Sequence, residues 1–233
     1  MTRAELVTRA VLLYNEPTTS AAIATADWQS FADIIHQEIC RDCRAFPTTQ
    51  TLTLVSGTRT YSLGATAAGI RRGGVISSAG ELIGPLTLEE LNQKDKAWRT
   101  TAGTASVAPT HWYFESAVVG ATPPAYWALG FCPVPFTTPP VVTVLGWSIP
   151  AAFTSDTDAP QMPTGLHDTI VWGMCWLAAV RDTDRAASNV GKLTLFRDEY
   201  YRRKTDLLQH MIDFGMDGWP LSPANVLKKE SSR

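Results

Sequence analysis

The chain has 233 residues, of which 45% are hydrophobic and 18% charged, a composition typical of one large or two small globular domains. Its net charge of −2 disfavours tight, salt-sensitive nucleic-acid binding, which needs a basic face, although DNA could still pass close by. No apolar run approaches the roughly 18 residues of a membrane span, and the N-terminus lacks a signal-peptide layout, so we expect a soluble, unsecreted protein.

Two helices are predicted near the N-terminus. Thr2 and Glu5 have the spacing of a capping box, which predicts a helix that runs to Tyr14 and ends before Pro17. A second helix ends at Pro47, and its apolar stripe consists of Trp28, Phe31, Ile35, Ile39, Cys43 and Phe46.

Cys40 and Cys43 form a CxxC on this second helix. A redox pair normally follows a strand, and a structural zinc site needs four ligands, whereas the other cysteines, Cys132 and Cys175, are isolated. We therefore expect reduced thiols that pack as small hydrophobic residues in a cytosolic protein.

Residues 50–63, QTLTLVSGTRTYSL, alternate apolar and polar side chains on both sides of Ser56, Gly57 and Thr58. This pattern predicts two half-buried strands joined as a β-hairpin. The hairpin opens a region of β and loop character, residues 48–150, in which further β-rich runs occur at 75–76, 112–114, 126–131 and 141–147. Within it, Thr87 and Glu90 again have capping-box spacing and predict a short helix.

The β region is rich in aromatic residues, which could form a platform for a sugar or a base. We favour the alternative that they are core and subunit-contact residues. The residues concerned are Trp98, Trp112, Tyr113, Tyr126, Trp127 and Trp147.

Helical periodicity returns after Pro150. Asp156 and Asp158 precede it, and we interpret them as turn and cap residues because a calcium loop would need more oxygen ligands. The third helix, marked by Leu166, Ile170, Met174 and Leu177, is apolar around most of its circumference, which suits a core helix or one covered by a neighbouring subunit.

The fourth helix has a strong 3.6-residue period, with Leu193, Phe196, Tyr200, Leu207, Met211 and Phe214 on one side and Gly215 as its C-terminal cap. Its other side mixes charges of both signs, which favours a solvated face with ion pairs one turn apart. A functional alternative is contact with a neighbouring subunit, a partner or passing DNA through Arg197, Arg202, Arg203 and Lys204.

The last stretch, residues 216–233, has no period but combines apolar anchors with Lys228 and Lys229. Such tails often become ordered on a partner, and a frayed terminus is the alternative. The anchors are Trp219, Pro220, Leu221, Val226 and Leu227, together with Phe214 just before them.

No catalytic or cofactor motif emerges. There is no phosphate-binding glycine loop, no HExxH, and no metal spacing among the four histidines. His111, Glu115 and Ser116 do not form a convincing acid, base and nucleophile set, because strand positions four apart share a face without touching. We therefore expect no cofactor and an architectural role.

The order of these segments resembles the head-to-tail connector adaptors of tailed bacteriophages, the family that includes the tail tubular A type proteins. The similar segments lie between residues 24 and 215: the helix at 28–46, the 50–63 stretch, PLTLEELNQKDKAW at 85–98, PTHWY at 109–113, FCPVP at 131–135, and 156–163 leading into Leu166, His167 and Asp168.

The resemblance implies an α+β protein. Four helices, from residues 1–47 and 151–215, would form a ring-forming frame that carries an inserted antiparallel β-sandwich or barrel-like domain, and residues 216–233 would form an extended tail. The resemblance also implies a homo-oligomeric ring of twelve copies, which binds the portal protein through the tail and extends the channel through which viral DNA passes. Tail or neck proteins (a stopper, nozzle or tail tube) would bind below, with the ring in the virion neck and its subunits in the host cytoplasm during assembly.

Two alternatives remain open from the sequence. One is a neck-associated cell-wall hydrolase, for which Glu115 and Asp156 are the candidate carboxylates. The other is a carbohydrate-binding β domain that would use Trp112, Trp127 and Trp147.

Overall fold

The protein is described here by a computed structural model that covers residues 1–14, 23–64, 66–94, 98, 109–116, 127–134, 141–181, 190–213 and 219–220. The chain divides into two compact units. The helical unit comprises Met1–Phe46 with Ile149–Phe214, and the β unit comprises Pro47–Ser148 with Gly215–Arg233. The predicted α+β class, a helical frame interrupted by a β insertion, is confirmed.

Four of the five described helices belong to the helical unit, and the short helix predicted after Pro85 lies in the β unit. The helices are α1 (Arg3–Tyr14), α2 (Thr25–Cys43), α3 (Leu88–Lys94), α4 (Asp168–Arg181) and α5 (Val190–Asp213), with a 3-10 turn at Thr164–Leu166.

Both predicted capping boxes are present. Before α1, the Thr2 N–H donates to the Glu5 carboxylate at 2.8 Å and the Glu5 N–H donates to the Thr2 hydroxyl at 3.3 Å. Before α3, Thr87 and Glu90 make the same reciprocal bonds at 2.8 and 3.1 Å. The backbone donors left free at these helix starts are thus satisfied locally.

The loop that contains Asp156 and Asp158 fixes the start of α1. The N–H groups of Arg3 and Ala4 donate to the carbonyls of Asp158 and Asp156 at 2.7 and 3.1 Å. Asp156 also accepts hydrogen bonds from the Arg3 guanidinium, and the Asp158 carboxylate accepts from the N–H groups of residues 154 and 155. The interpretation of both aspartates as turn and cap residues is confirmed.

Helix α4 lies at the centre of the helical unit and packs against α1, α2 and α5. Gly173 allows the close approach, since a Cβ there would lie 2.7 Å from Ile35 Cγ2 and 2.9 Å from Tyr200 Cε2. Its neighbours within the chain therefore account for the apolarity of α4. Of the two alternatives, the core helix is correct, and no covering subunit is needed to explain this pattern.

The CxxC cysteines pack inside the helical unit. Cys40 and Cys43 are buried on α2, and burial raises the pKa of each thiol to about 12. All four cysteines of the chain are free thiols. The prediction of plain helix packing is confirmed.

The β unit contains two four-stranded sheets. The first has the order β1-β7-β3-β8 and the second the order β2-β6-β5-β4. The strands are β1 (Pro47–Thr53), β2 (Thr60–Ser62), β3 (Ala67–Ser77), β4 (Gly84–Pro85), β5 (His111–Ser116), β6 (Trp127–Cys132), β7 (Val141–Ser148) and β8 (Trp219–Pro220).

The predicted hairpin at residues 50–63 is wrong. Strand β1 pairs with β7, strand β2 pairs with β6, and the two strands lie in different sheets. A turn between them, in which the Thr58 N–H donates to the Val55 carbonyl and Gly57 has a φ of 74°, carries the chain from one sheet to the other. Alternation predicts that a strand is half-buried but does not specify its partner.

The two sheets form a sandwich around one apolar core, as expected, but the antiparallel prediction fails at one pair. Ile70, Val75 and Val144 of the first sheet share the core with Trp112 and Phe131 of the second. Strand β4 runs parallel to β5, so the second sheet is mixed, and the described strands do not close into a barrel.

Two aromatic rings lie across glycines on neighbouring strands. A Cβ on Gly130 would lie 2.1 Å from Cζ of Tyr113, its register partner, and one on Gly69 would lie 2.0 Å from Cζ2 of Trp147, its own partner. Each ring covers a backbone that has no side chain of its own and so fixes the cross-strand register.

Candidate interaction surfaces

The predicted charged face of α5 forms ion pairs within the chain. Glu199 accepts from Arg202 Nη2 at 2.6 Å and from Arg203 Nε at 2.7 Å, and these hydrogen bonds lower the pKa of Glu199 to about 2. Arg197 pairs with Asp198 at 2.9 Å. The expected solvated face with ion pairs one turn apart is present, and the arginines on it remain accessible.

Lys204 has a different environment from the arginines beside it. Its ammonium group lies 2.5 Å from Glu38 and 2.8 Å from Asp42, both on α2, and the Tyr200 hydroxyl donates to Glu38 at 3.0 Å. Burial alone would lower the pKa of Lys204, but the hydrogen bonds and charges of Asp42 and Glu38 raise it above its usual value. Lys204 therefore holds α5 against α2.

Arg203 also borders a groove that sequence patterns did not predict. The groove has a volume of about 390 Å³ and is lined by residues of α1, α4 and α5. The Arg203 guanidinium lies 5.3 Å from the centre of the Trp172 ring, and Arg9 pairs with Asp168 at 3.1 Å across the groove. Leu12, which also lines it, has 72% of its surface exposed.

The signal that could have found this groove is the pair Leu12 and Leu13. Adjacent leucines cannot both lie on a narrow buried stripe of a helix, so one of them must face outward. An outward leucine beside a half-buried tryptophan places apolar surface in this groove, next to the charged side chains of Arg9, Asp168 and Arg203.

The predicted tail residues are only partly described. The backbone of Trp219 and Pro220 forms β8 and pairs antiparallel with Ile70 and Gly69 of β3, at the edge of the first sheet. The other predicted portal-binding residues, namely Phe214, Leu221, Val226, Leu227, Lys228 and Lys229, lie outside the described residues.

A second feature missed by sequence reasoning is a bulge in β3. Ile70 pairs with Gly146 and Val75 with Val144, so residues 71–74 lie opposite the single residue Leu145. The bulge has the sequence Arg-Arg-Gly-Gly, and glycines within a strand are a recognised signal for such an irregularity.

The carbohydrate-platform alternative is wrong for the tryptophans whose side chains are described. Trp112 and Trp147 are only 4% and 2% exposed, so neither offers a ring face to a sugar. The side chain of Trp127 lies outside the described part of the molecule, as does all of Tyr126. The core interpretation holds for Trp98, Trp112, Tyr113 and Trp147.

The hydrolase candidates have structural surroundings. Asp156 binds Arg3 and Gln29 and anchors α1, and Glu115 lies on β5, where it is partly buried. Among the described residues, no group of His, Cys, Asp and Glu could hold a metal ion. None of the described helices combines the length and apolarity that a membrane crossing requires.

Side chains that are used in packing and in ion pairs, together with an accessible groove lined by both apolar and charged residues, are typical of a structural protein that acts through contacts. A family model described as SU10 adaptor protein matches residues 1–214, which include the helical unit and most of the β unit. The chain belongs to this family of phage adaptors, and the predicted resemblance to phage head-to-tail adaptors is confirmed. A phage structural adaptor is not an enzyme class. No curated protein matches the chain.

Proposed function

We propose that this protein forms the adaptor ring of a phage neck, bound to the portal protein on one side and to tail or neck proteins (a stopper, nozzle or tail tube) on the other. The observation that carries the proposal is the family match over residues 1–214, since it spans both units rather than one module. Viral DNA passes through the ring without sequence-specific binding, in keeping with a net charge of −2.

The ring is homo-oligomeric, with twelve copies, and the helical unit forms it. The groove beside Leu12 supports this role. The Leu12 side chain is 72% exposed, so its burial by a second copy would stabilise the association of the two copies. A head-to-tail contact of this kind closes into a ring when the rotation that relates one copy to the next is a whole-number fraction of a full turn. The exposed Arg197 and Arg202 lie elsewhere on the same unit and are candidates for channel or subunit contacts.

The C-terminal tail docks onto the portal. Trp219, Leu221, Val226 and Leu227 supply apolar anchors, while Lys228 and Lys229 meet acidic portal groups. Subunits are made in the host cytoplasm and reside in the virion neck after assembly.

The test is the native mass of the purified chain, alone and mixed with its portal. A 25.4 kDa chain that joins the portal in a fixed ring stoichiometry is the expected result. Deletion of residues 216–233 should abolish this association, whereas Leu12→Glu should leave portal binding by single copies and prevent complete rings. The matched control is Leu195→Glu, which changes another exposed leucine of the helical unit (59% exposed) that does not line the groove.

A chain that stays monomeric with its portal would overturn the adaptor-ring proposal. Complete rings formed by the truncated chain would overturn tail docking alone, and complete rings formed by Leu12→Glu would overturn the groove as the subunit contact.

A further inference from the structure

Two adjacent arginines of the β unit differ from the other described arginines in their lack of described interaction partners. In the helical unit Arg3, Arg9 and Arg181 pair with aspartates, and the arginines of α5 pair with Asp198 and Glu199. In the β unit, Arg59 lies over the Trp98 ring at 5.2 Å. Arg71 and Arg72 make no ion pair, hydrogen bond or ring contact with any described residue.

The backbone that presents these two arginines has a defined shape. They begin the four-residue bulge of β3, in which Gly73 has a φ of 65°, a conformation that other residues rarely adopt. At Gly74 a Cβ would lie 2.4 Å from the Leu145 carbonyl oxygen and 2.7 Å from that of Arg71, so only glycine fits. Arg72 is exposed, and Leu82, whose side chain lies 3.8 Å from the Cβ position of Gly73, is 68% exposed.

An acidic residue with no ion partner among the described residues lies on α3, which packs on the second sheet. Glu89, in the first turn of α3, is exposed and has no partner within the described chain. Trp112 lies in the core between the sheets, while its neighbour Tyr113 packs with Leu91 of α3 on the opposite face of the second sheet. Glu89 therefore lies on the side of the second sheet that faces away from the first sheet, which carries the arginine bulge.

We infer that the Arg71–Arg72 bulge of one copy contacts the Glu89 face of α3 in the next copy, so that β units join head to tail around the ring. The inference rests on the proposed ring and names a surface within it. Charges of opposite sign that lie on different layers of one unit, and that have no partner among the described residues, suit a heterologous contact that repeats around a closed ring. Leu82 adds an apolar contact beside the bulge.

A second copy fits this surface better than DNA does. A protein that grips a duplex neutralises many phosphates, whereas this bulge offers two arginines beside an exposed leucine on a chain of net charge −2. Arginine beside an apolar contact is typical of protein interfaces.

Charge reversal tests the contact. Arg72→Glu and Glu89→Arg each place like charges face to face, so each should raise the protein concentration needed for complete rings on the portal by roughly tenfold. The combined variant restores opposite charges and should return to within about twofold of the wild type. Native mass spectrometry of the portal complex measures the number of bound copies.

Glu81→Arg is the matched control. Glu81 is exposed and its carboxylate has no described partner, but it lies directly after β3 and next to Leu82, which borders the bulge. Its reversal should not rescue Arg72→Glu. If the combined variant of residues 72 and 89 is no better than the worse single change, or if Glu81→Arg rescues equally well, the assignment of Glu89 is overturned.

Cysteine cross-linking separates this inference from the proposed function. An equimolar mixture of the full-length variants Arg72→Cys and Glu89→Cys, oxidised at high concentration with and without portal, should give a disulfide-linked dimer that neither variant forms alone. If the wild-type protein does not bind the portal but the cross-linked dimer forms, the proposed portal binding is overturned and the contact between residues 72 and 89 is supported. Absence of the dimer under both conditions, or loss of duplex DNA binding by Arg72→Glu with unchanged assembly, overturns the contact.

Discussion

The two units of this protein use their charged residues in different ways. In the helical unit ion pairs join elements: Arg3 with Asp156 ties α1 to the loop before α4, and Lys204 with Glu38 and Asp42 ties α5 to α2. In the β unit the sheets are held by an apolar core rich in aromatic residues and by aromatic rings that pack over glycines of neighbouring strands. The charged residues Arg71, Arg72 and Glu89 have no described partner. Ion pairs therefore join elements in the first unit, whereas these three charged residues of the second unit have no described partner.

We expect the largest loss of stability from a substitution in the core of the helical unit. Trp28 is 1% exposed and its ring centre lies 5.8 Å from that of Tyr14 and 5.9 Å from that of Phe31. Trp28→Ala should lower the free energy of unfolding by about 4 kcal/mol, because it leaves a large cavity. Urea denaturation followed by circular dichroism at 222 nm measures this. Ile34→Ala on the same helix, where the side chain is 49% exposed, should cost under about 1 kcal/mol; equal losses would refute the assigned core.

The corresponding test of the β unit adds a methyl group instead of removing a ring. Gly130→Ala forces a Cβ to within 2.1 Å of the Tyr113 ring, which is 1% exposed and has little room to move. We expect a loss of about 3 kcal/mol in the free energy of unfolding. The control is Gly64→Ala, where no atom lies within 4 Å of the added carbon. Hydrogen exchange should show the loss in β5 and β6, and an unchanged exchange rate there would contradict the packing of this ring.

Acid should weaken the helical unit through His36. Burial, followed by the charge of His167, lowers the pKa of His36 from 6.5 to about 4, and its Nε2 accepts the Gln161 N–H at 3.1 Å. Below pH 6.5 His36 becomes protonated in the unfolded chain, whereas in the folded chain it stays neutral until about pH 4. The free energy of unfolding therefore falls as the pH falls through this window. Between pH 6.5 and 5 the loss should be about 1.5 kcal/mol.

The acid effect of His36 is isolated by comparison with His36→Phe. This variant cannot titrate at position 36 and retains a ring against Phe153, whose centroid lies 4.8 Å from that of His36. The free energy of unfolding, measured in urea at both pH values, should depend less on pH in the variant by the same amount. Parallel pH profiles for the two proteins would contradict the buried neutral histidine.

The smallest expected effects come from two substitutions that compare a charge with ion partners, Lys204, with a charge that has no described partner, Arg72. Lys204→Met leaves Glu38 and Asp42 without their shared cation and should cost about 1.5 kcal/mol in urea unfolding. Arg72→Ala removes a charge that has no described partner and should change stability by less than about 0.5 kcal/mol. A larger loss for Arg72→Ala than for Lys204→Met would invert the comparison on which the inferred contact depends.

Local patterns were sufficient where the structure depends on near neighbours in sequence. The capping boxes of Thr2 with Glu5 and of Thr87 with Glu90 form as predicted, because each needs only residues three apart. The stripe of α2 is buried for the same reason, with Trp28, Ile35 and Ile39 on one side of a regular helix.

Long-range pairing was predicted poorly. The strands of residues 50–63 were correctly expected to alternate, yet their partners lie about ninety residues away in β7 and about seventy residues away in β6 rather than across the turn. The apolarity of α4 was ambiguous in sequence because a core helix and a subunit-covered helix have the same composition. Only its packing against α1, α2 and α5 separated the two.

The sequence by itself determined the helices, their caps, the β character of the middle of the chain and the resemblance to phage adaptors, since these follow from spacing and segment order. The tertiary structure alone decided which strands pair and that Leu12 borders a groove. It also decided that Lys204 pairs with Glu38 and Asp42, whereas Arg72 has no partner among the described residues. The physical reason is that periodicity reports which side of an element is buried, whereas partners are chosen by contacts between residues far apart in the chain.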